Sequence, residues 1–287
     1  DDKIDSWTYW YDSGKKKSQN NYVNGNIDGL STSWHENGQK KSDGKFKDGE
    51  KDGKWNYYTT GGKKNLEETY VSGSLSGPLT SYYDNGQKKA YGIKEGRYYN
   101  GLYTEWHENG KKKIEVNTSY NNYDGLYTEW NDNGRKVLEG TYVKKKKNGL
   151  FTFYIEDEKI EKEITYQNGK VYEEFMFTYH SNGERKSRES WIDGKKNGLY
   201  IGWYDNGNKS DEKNYKDGLA YGKWIQYNRD GSFSRTGFNT SYGGNLTLDE
   251  AVAKGVYSFT TEEKLAYDKK VEQERLEHER QERLEWK

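Results

Sequence analysis

The sequence predicts an all-β repeat fold: an elongated single-sheet antiparallel β-meander of about ten 24-residue hairpin repeats, with a C-terminal α-helical segment. Two observations lead to this prediction. A block such as GLYTEWHENGKKK recurs at a fixed spacing over most of the 287 residues, as repeat folds require. Turn-forming glycine and strand-forming aromatic residues are abundant, with 33 Gly, 28 Tyr and 10 Trp. We therefore expect a repeat array over residues 5–244 and a helical cap or extension over residues 245–287.

The composition excludes a deep aliphatic core and argues against disorder. Hydrophobic residues make up 30% of the chain, and aromatic residues alone make up 16%, whereas most domains draw their cores mainly from aliphatic side chains. The formal net charge is zero and aromatic residues are frequent, which is the reverse of a disordered composition. The chain is therefore expected to fold into a thin structure.

The repeats follow each other almost without interruption. Copies begin at residues 5, 29, 53, 77, 101, 125, 149, 174, 198 and 222, so every step is 24 residues except one of 25. One block is too small to bury its own apolar surface, so neighbouring blocks must stack. The long step, together with Glu158 in place of a turn glycine, predicts a kink or an altered twist near residues 155 to 175.

Glycines divide each block into two strands and two turns. In the copy at 101, Gly110 follows Asn109 between two strand-like runs. Asn-Gly in this setting is the strongest short hairpin signal and predicts a type I′ turn. Eleven residues further on, several copies carry another glycine, usually after Asn or Asp. Each block is therefore predicted to form a strand, a tight turn, a second strand and a second turn.

Strand alternation assigns two aromatic stripes to opposite faces of the predicted sheet. We interpret the first as the structural core, because it is aromatic in every copy: Trp10, Trp34, Tyr58, Tyr82, Trp106, Trp130, Tyr154, Tyr179, Trp203 and Tyr227. The second is aromatic in seven copies: Trp7, Trp55, Tyr103, Tyr127, Phe151, Tyr200 and Trp224. It is either a second core or a partner-binding stripe. We favour partner binding, which predicts that Tyr103, Tyr127 and Tyr200 are substantially exposed.

Charged and histidine residues also recur at fixed positions. Lys or Arg follows the first turn in eight copies: Lys16, Lys40, Lys64, Lys88, Lys112, Lys136, Arg185 and Lys209. This row predicts a solvated edge that discourages aggregation, or else a groove for an acidic partner. The histidines His35, His107 and His180 share one repeat position, but they lie three blocks apart, roughly 29 Å in a sheet, and cannot share a metal ion.

The residue types exclude several classes of function. There is no cysteine, so disulfides and cysteine-based metal sites are excluded. No apolar stretch approaches the roughly 18 residues of a membrane-spanning helix, and zero net charge argues against nucleic acid as the main ligand. We predict no enzyme activity, no catalytic residues, no metal site and no cofactor.

Two adjoining segments resemble a known repeat. They are GKFKDGEKDG, from Gly44 to Gly53, and GKWNYYTTGGKK, from Gly53 to Lys64. Both resemble the MORN repeat, in particular the bacterial variant found in YwqK-family antitoxin-like proteins, and the resemblance covers about residues 5 to 240. It implies a protein-interaction scaffold, with acidic lipid as a possible ligand, and the antitoxin name implies neutralisation of a toxin.

The last residues differ from the repeats. Thr247 and Glu250 form a predicted capping box for a short helix of about residues 248 to 254. Thr260 and Glu263 form a second, which precedes a charged segment with helical spacing. We interpret this segment as a charged helix that caps the end of the sheet and projects beyond it, with a coiled-coil pairing as the alternative.

Three functions remain open at this point. We favour a non-catalytic protein-interaction scaffold. We expect it to be exported to the surface, the periplasm or the medium, because the composition lacks cysteine and is rich in Tyr and Asn, with a cytoplasmic location as the alternative. The first alternative is a carbohydrate or cell-wall binder, since stacked Trp and Tyr suit apolar sugar faces. The second is an antitoxin or immunity protein, which rests on the family resemblance.

Overall fold

A computed structural model describes residues 4–239 and 245–254 of the chain. In this part, 23 antiparallel strands belong to one sheet, and a short α-helix follows the last strand. The predicted all-β class and the single antiparallel meander are confirmed. The predicted C-terminal helical segment is described only over Leu248–Ala253, and its remainder lies outside the described residues.

The chain divides into two units, residues 1–177 and 178–287, a division that the sequence did not predict. Strands of the first unit are β1 (Ile4–Trp10), β2 (Lys16–Val23), β3 (Asn26–Trp34), β4 (Lys40–Lys47), β5 (Glu50–Tyr58), β6 (Lys64–Val71), β7 (Ser74–Tyr82), β8 (Lys88–Glu95), β9 (Tyr98–Trp106), β10 (Lys112–Ser119), β11 (Asn122–Trp130), β12 (Lys136–Val143), β13 (Lys146–Lys147), β14 (Gly149–Tyr154) and β15 (Ile160–Gln167). Strand β16 (Lys170–Tyr179) contains the unit boundary. The second unit contains β17 (Arg185–Ile192), β18 (Lys195–Lys196), β19 (Gly198–Trp203), β20 (Lys209–Lys216), β21 (Leu219–Tyr227), β22 (Phe233–Asn239), β23 (Asn245–Thr247) and the helix α1 (Leu248–Ala253).

In six of the eight blocks that open with glycine, this residue lies inside a strand, whereas Gly149 and Gly198 begin β14 and β19. In β11, Gly125 has φ 126°, and the pairing register with β10 shifts near this point. A Cβ atom on Gly125 would lie 3.1 Å from Cβ of Asn117 on the neighbouring strand. The eight opening glycines therefore mark bulges, where the left-handed backbone favours glycine.

The first turn of each block differs from the predicted type. In the turn after β9, Gly110 has φ 84° and its amide donates to the carbonyl of His107 at 2.9 Å, whereas Asn109 has no positive φ. This arrangement is a type I turn closed by a glycine bulge, so the predicted type I′ turn is wrong here. Positive φ at both central residues occurs instead in the second turn, at Asn24 (49°) and Gly25 (87°).

The copy at 149 departs from the others where the sequence indicated. Its first turn is a 3₁₀ helix over Glu156–Glu158, and Glu158 has φ 57° at the position of the usual turn glycine. The following strand β16 has ten residues, and its register against β15 shifts between Thr165 and Tyr166. The extra residue is thus absorbed as a bulge, while the kink or altered twist stays a prediction.

The short helix begins as the capping box predicts. The amide of Thr247 donates to Glu250 at 2.8 Å, and the amide of Glu250 donates to the Thr247 hydroxyl at 3.2 Å. Ala251 is fully buried where α1 packs against β22 and β23. The second predicted capping box, at Thr260 and Glu263, lies outside the described residues.

Candidate functional site

One face of the sheet, called here the ring face, carries the stripe that includes Tyr103. Trp55, Tyr127 and Phe151 on this face are only 3%, 7% and 0% exposed. Tyr103, Tyr200 and Trp224 are half-buried, and Trp7 is well exposed. The predicted exposure of this stripe is therefore wrong for Tyr127, and Phe151 of this stripe is the most deeply buried aromatic side chain among the described residues.

Glycines on neighbouring strands let these rings lie flat on the sheet. A Cβ atom on Gly44 would lie 2.2 Å from the indole of Trp55, and one on Gly140 would lie 2.4 Å from the ring of Phe151. A ring that covers a strand glycine shields backbone that no side chain of its own protects. Within residues 4–239 and 245–254, the rings are therefore buried against the sheet itself, without a second layer packed over them.

Side chains of adjacent strands enclose the rings laterally. The ring of Tyr142 lies 5.6 Å from that of Tyr127 and 5.4 Å from that of Phe151, both edge-to-face. Phe151 meets Tyr166 on its other side at 5.2 Å, and Nζ of Lys147 lies 5.0 Å from its centroid. Each such aromatic pair contributes about 0.5–1.5 kcal/mol beyond burial, so the face is a continuous structural element.

The buried tyrosine hydroxyls act as donors on this face. Tyr103 donates to Glu105 at 2.8 Å, and Tyr127 donates to Glu129 at 2.9 Å. Burial, reinforced by these hydrogen bonds to carboxylates, raises the pKa of both tyrosines well above the ordinary 10.0. Their hydroxyls are thus held protonated and already paired, which argues against a role in acid–base chemistry.

The opposite face, called here the lysine face, carries the stripe that includes Trp106. This stripe is half-buried in most copies, and Trp10 is 56% exposed, so it is not the innermost core that the sequence suggested. Instead, a lysine of the preceding copy lies over each of several rings. Nζ of Lys112 is 5.6 Å from the ring centroid of Trp130, within the range of a cation–π contact.

The lysines that follow the first turn also pair with carboxylates on their own strands. Lys112 lies 2.5 Å from Glu115, and Lys136 lies 2.7 Å from Glu139. The hydrogen bond from Lys136 lowers the pKa of Glu139, whereas burial and the hydrogen bond to Glu139 raise the pKa of Tyr154 to about 12. These lysines therefore neither extend freely into solvent nor form an unpaired basic groove.

A row of exposed leucines runs along the lysine face. Leu102, Leu126 and Leu150 follow the opening glycine in three consecutive copies and are 44%, 58% and 50% exposed. They lie on β9, β11 and β14, so neighbouring members are about 10 Å apart across one intervening strand. Asn117 and Thr141 occupy the facing positions of those intervening strands. We call these three residues the leucine row.

Side chains of the first turns link successive repeats. The Asn109 side chain accepts from the amide of Lys111 at 3.0 Å within its own turn and donates to the carbonyl of Asp132 in the next turn at 2.6 Å. Nε2 of His107 lies 2.9 Å from the carbonyl oxygen of Trp130, again one repeat further on. The repeated histidine thus has a structural hydrogen bond. His278 lies outside the described residues.

The described part of the chain carries neither a cluster of metal ligands nor a membrane-spanning helix. Among residues 4–239 and 245–254, no three His, Cys, Asp or Glu side chains are grouped closely enough to hold a metal ion. Within the same residues, the helices lack the length and apolar character needed to cross a bilayer.

Two features of these faces were missed in the sequence. Glycines at 44, 92 and 140 recur every 48 residues inside strands, and this spacing could have identified the rings that they accommodate. The leucine row was visible as the repeated Gly-Leu pair, but its exposure depends on which face is packed.

Comparisons with known proteins support the repeat assignment. Residues 6–24, 27–48, 99–120 and 147–168 each match the MORN repeat variant. No curated protein matches the chain. Two similar solved structures are a TcdB2–TccC3 complex (11% identity, TM-score 0.20) and the Photorhabdus luminescens Tc holotoxin pore (11% identity, TM-score 0.21). Each alignment covers 85% of this chain and 15% of the other, and likeness at this level carries no argument.

The fold agrees with these sequence matches. All four matched segments lie in the first unit, where a strand, a glycine-closed turn and a second strand recur in every block except the one at 149. Taken with the repeat geometry, the four matches support the description of this chain as a MORN repeat protein.

Proposed function

We propose that the chain is a non-catalytic protein-interaction scaffold that docks a protein partner on its lysine face. The leucine row carries this proposal. Leu102, Leu126 and Leu150 hold exposed apolar side chains at matching positions of consecutive repeats. Apolar side chains repeated at about 10 Å offer a partner several separate apolar contacts, and covering apolar surface releases about 25 cal/mol per Å².

Because the central rings of the ring face are buried, we expect the partner to dock on the lysine face instead. Tyr127 and Phe151 are enclosed by neighbouring rings, so a partner cannot reach them without opening the sheet. On the lysine face, Lys112 and Lys136 already pair with carboxylates of the same strand. An acidic partner would have to compete with these pairs, so apolar contact with the leucine row is the stronger source of affinity.

The test substitutes the three residues of the leucine row and compares the proteins that immobilised wild type and variant chains retain. Immobilised wild type and the triple variant Leu102→Ser, Leu126→Ser, Leu150→Ser are exposed to secreted and surface proteins. The matched control carries Val71→Ser, Val143→Ser and Val171→Ser, which remove equally exposed valines (55%, 45% and 54%) outside the row. Any protein retained by wild type is then purified and titrated against all three.

The leucine triple variant is expected to lose at least tenfold in affinity while the valine variant binds as wild type does. Equal affinity of all three chains for the purified partner would contradict docking on the leucine row. Circular dichroism of each variant verifies that the sheet is retained.

The other functions considered for this chain stay proposals of lower rank. Sugar stacking on the stripe that includes Trp106 and Trp130 is disfavoured, because Lys112 already lies over the Trp130 ring. Toxin neutralisation and acidic-lipid binding rest on the resemblance to MORN proteins alone. Export remains part of the proposal on grounds of composition.

A further inference from the structure

One copy lacks a large side chain at a position that is filled in the others. The second residue after each second turn faces a side chain of the preceding strand across the ladder, as Lys51 faces Phe46. In the other described copies this residue is Ile27, Lys51, Leu75, Tyr99, Tyr123, Lys147, Val171 or Lys196. In the copy at 198 it is Ala220, which faces Tyr215. A gap is therefore expected beside Tyr215 on this face.

The neighbouring tryptophan turns away from the gap. Trp55 and Phe151 lean onto glycines of the preceding strand, at Gly44 and Gly140. Trp224, at the equivalent position, lies over Gly237 of the following strand, where a Cβ atom would come within 2.5 Å of its indole. This orientation leaves the space between Trp224 and Tyr215 open.

The result is a shallow cavity of about 330 Å³ that spans β20, β21 and β22. Ala220 forms part of its lining, with Tyr215 and Trp224 as aromatic walls. This volume is at the lower end for small-molecule sites, which suits a ligand of one or two sugar rings. In three other copies the equivalent space holds a lysine among aromatic rings, such as Lys51 at 4.5 Å from Trp55.

The polar lining of this cavity determines the charge of a suitable ligand. Nε of Arg235 donates to Gln226 at 2.6 Å, and Nζ of Lys213 lies 2.6 Å from Asp211. Asp211 offsets the charge of Lys213, whereas the neutral Gln226 leaves the positive charge of Arg235 at the cavity, so a cationic ligand would be repelled. The guanidinium of Arg235 and the amide of Gln226 can instead bind a carboxylate and hydroxyl groups.

We propose that this cavity binds an acidic saccharide, a pyranose that carries a carboxylate. The sugar ring fills the gap beside Ala220 between the rings of Tyr215 and Trp224, and the carboxylate meets Arg235, whose guanidinium carbon lies 5.8 Å from the centroid of the Trp224 ring. This site lies in the second unit and is independent of the leucine row, so either proposal can fail without the other. An aromatic peptide is the competing occupant, and the experiment distinguishes the two.

The probe is a tetrasaccharide of alternating glucuronate and N-acetylglucosamine, titrated calorimetrically into the full chain. The neutral control is tetra-N-acetylglucosamine, and a tyrosine-containing acidic hexapeptide represents the competing occupant. Ala220→Lys fills the cavity with the side chain found at this position in three other copies. Ile27→Lys adds the same charge at the equivalent position of the copy at 5 and serves as the matched control.

Wild type and Ile27→Lys are expected to bind the acidic tetrasaccharide equally, and Ala220→Lys is expected to bind it at least tenfold more weakly. Arg235→Gln should reduce the affinity to that of the neutral tetrasaccharide. No binding of the acidic sugar to wild type, or equal binding by both lysine variants, would overturn the site. Binding of the peptide but not the sugar would overturn the ligand class, and equal binding of both sugars would overturn the role of Arg235.

Discussion

Gly140 lies directly beneath the ring of Phe151, so that a Cβ atom added to Gly140 would come within 2.4 Å of the Phe151 ring carbon Cδ1. This relationship explains how an aromatic side chain is buried completely on one sheet, without a second layer in the part of the chain that the structure describes. The ring uses the backbone of the adjacent strand as its floor and the rings of Tyr142 and Tyr166 as its walls.

Gly140→Ala is expected to destabilise the chain by about 1–3 kcal/mol, because the added methyl group overpacks the space under Phe151. Urea unfolding followed by circular dichroism measures this change. Gly61→Ala is the control, since a Cβ atom there meets only the Thr59 hydroxyl at 3.7 Å. It should be neutral or slightly stabilising, and an equal loss in both variants would argue against the close contact.

Asn109→Ala should cost about 0.5–1.5 kcal/mol, because two hydrogen bonds of the turn edge disappear and the carbonyl of Asp132 loses its donor. The exposed Asn65, on β6 rather than in a turn, supplies the control Asn65→Ala. Hydrogen exchange should show faster exchange in the turns of both adjoining repeats for Asn109→Ala alone. If only the turn of residue 109 changed, the link between repeats would be disproved.

Stability should fall in alkaline solution. Burial raises the pKa of Tyr58 and of Tyr154 to about 12, against 10.0 in the unfolded chain. Because the folded state holds these protons more tightly, their contribution is fully present below pH 10 and is lost as the pH rises from 10 to about 12. The urea midpoint should therefore decline over this range.

Tyr154→Phe should make this alkaline decline shallower, since one titrating group is removed. Tyr120→Phe alters a tyrosine that is 63% exposed and provides the comparison. Urea midpoints are measured from pH 8 to 12 for both variants. If the midpoints of both variants fell as steeply as those of wild type, the contribution of Tyr154 to the alkaline decline would be disproved.

Removal of residues 101–124 should yield a shorter folded chain. Gly101 and Gly125 occupy equivalent bulges, with φ 101° and 126°, so the deletion joins matching positions of two repeats. Removal of residues 101–112 joins positions of the repeat that are not equivalent. It also reverses the direction of the strands that follow the deletion in the meander. Cooperative urea unfolding with a smaller denaturant dependence is expected only for the first deletion.

The repeat period and strand content were predictable because they depend on local patterns. Alternating aromatic residues and recurrent glycines specify strands and turns, and the capping box at Thr247 and Glu250 specified the start of α1. Each of these features is set by residues that are near one another in sequence.

The assignment of the faces could not be derived in the same way. Both aromatic stripes alternate with the same period of two, so Tyr127 and Trp130 give equal signals. What separates them is the residue on the adjacent strand, such as Gly140 opposite Tyr127, and that depends on the pairing register. The prediction of the first turn's type was wrong for a related reason, because the bulge at Gly110 adds a residue to the loop.

The double role of Asn109 fixes how this architecture can change in length. Its amide reaches the carbonyl of Asp132 at 2.6 Å only while both turns stand side by side. A slip of one residue along a strand moves a group by about 3.3 Å, beyond the range of such a bond. The array can therefore gain or lose complete repeats by gene duplication or deletion. An insertion of a few residues at a turn is not tolerated in the same way, because it breaks this hydrogen bond.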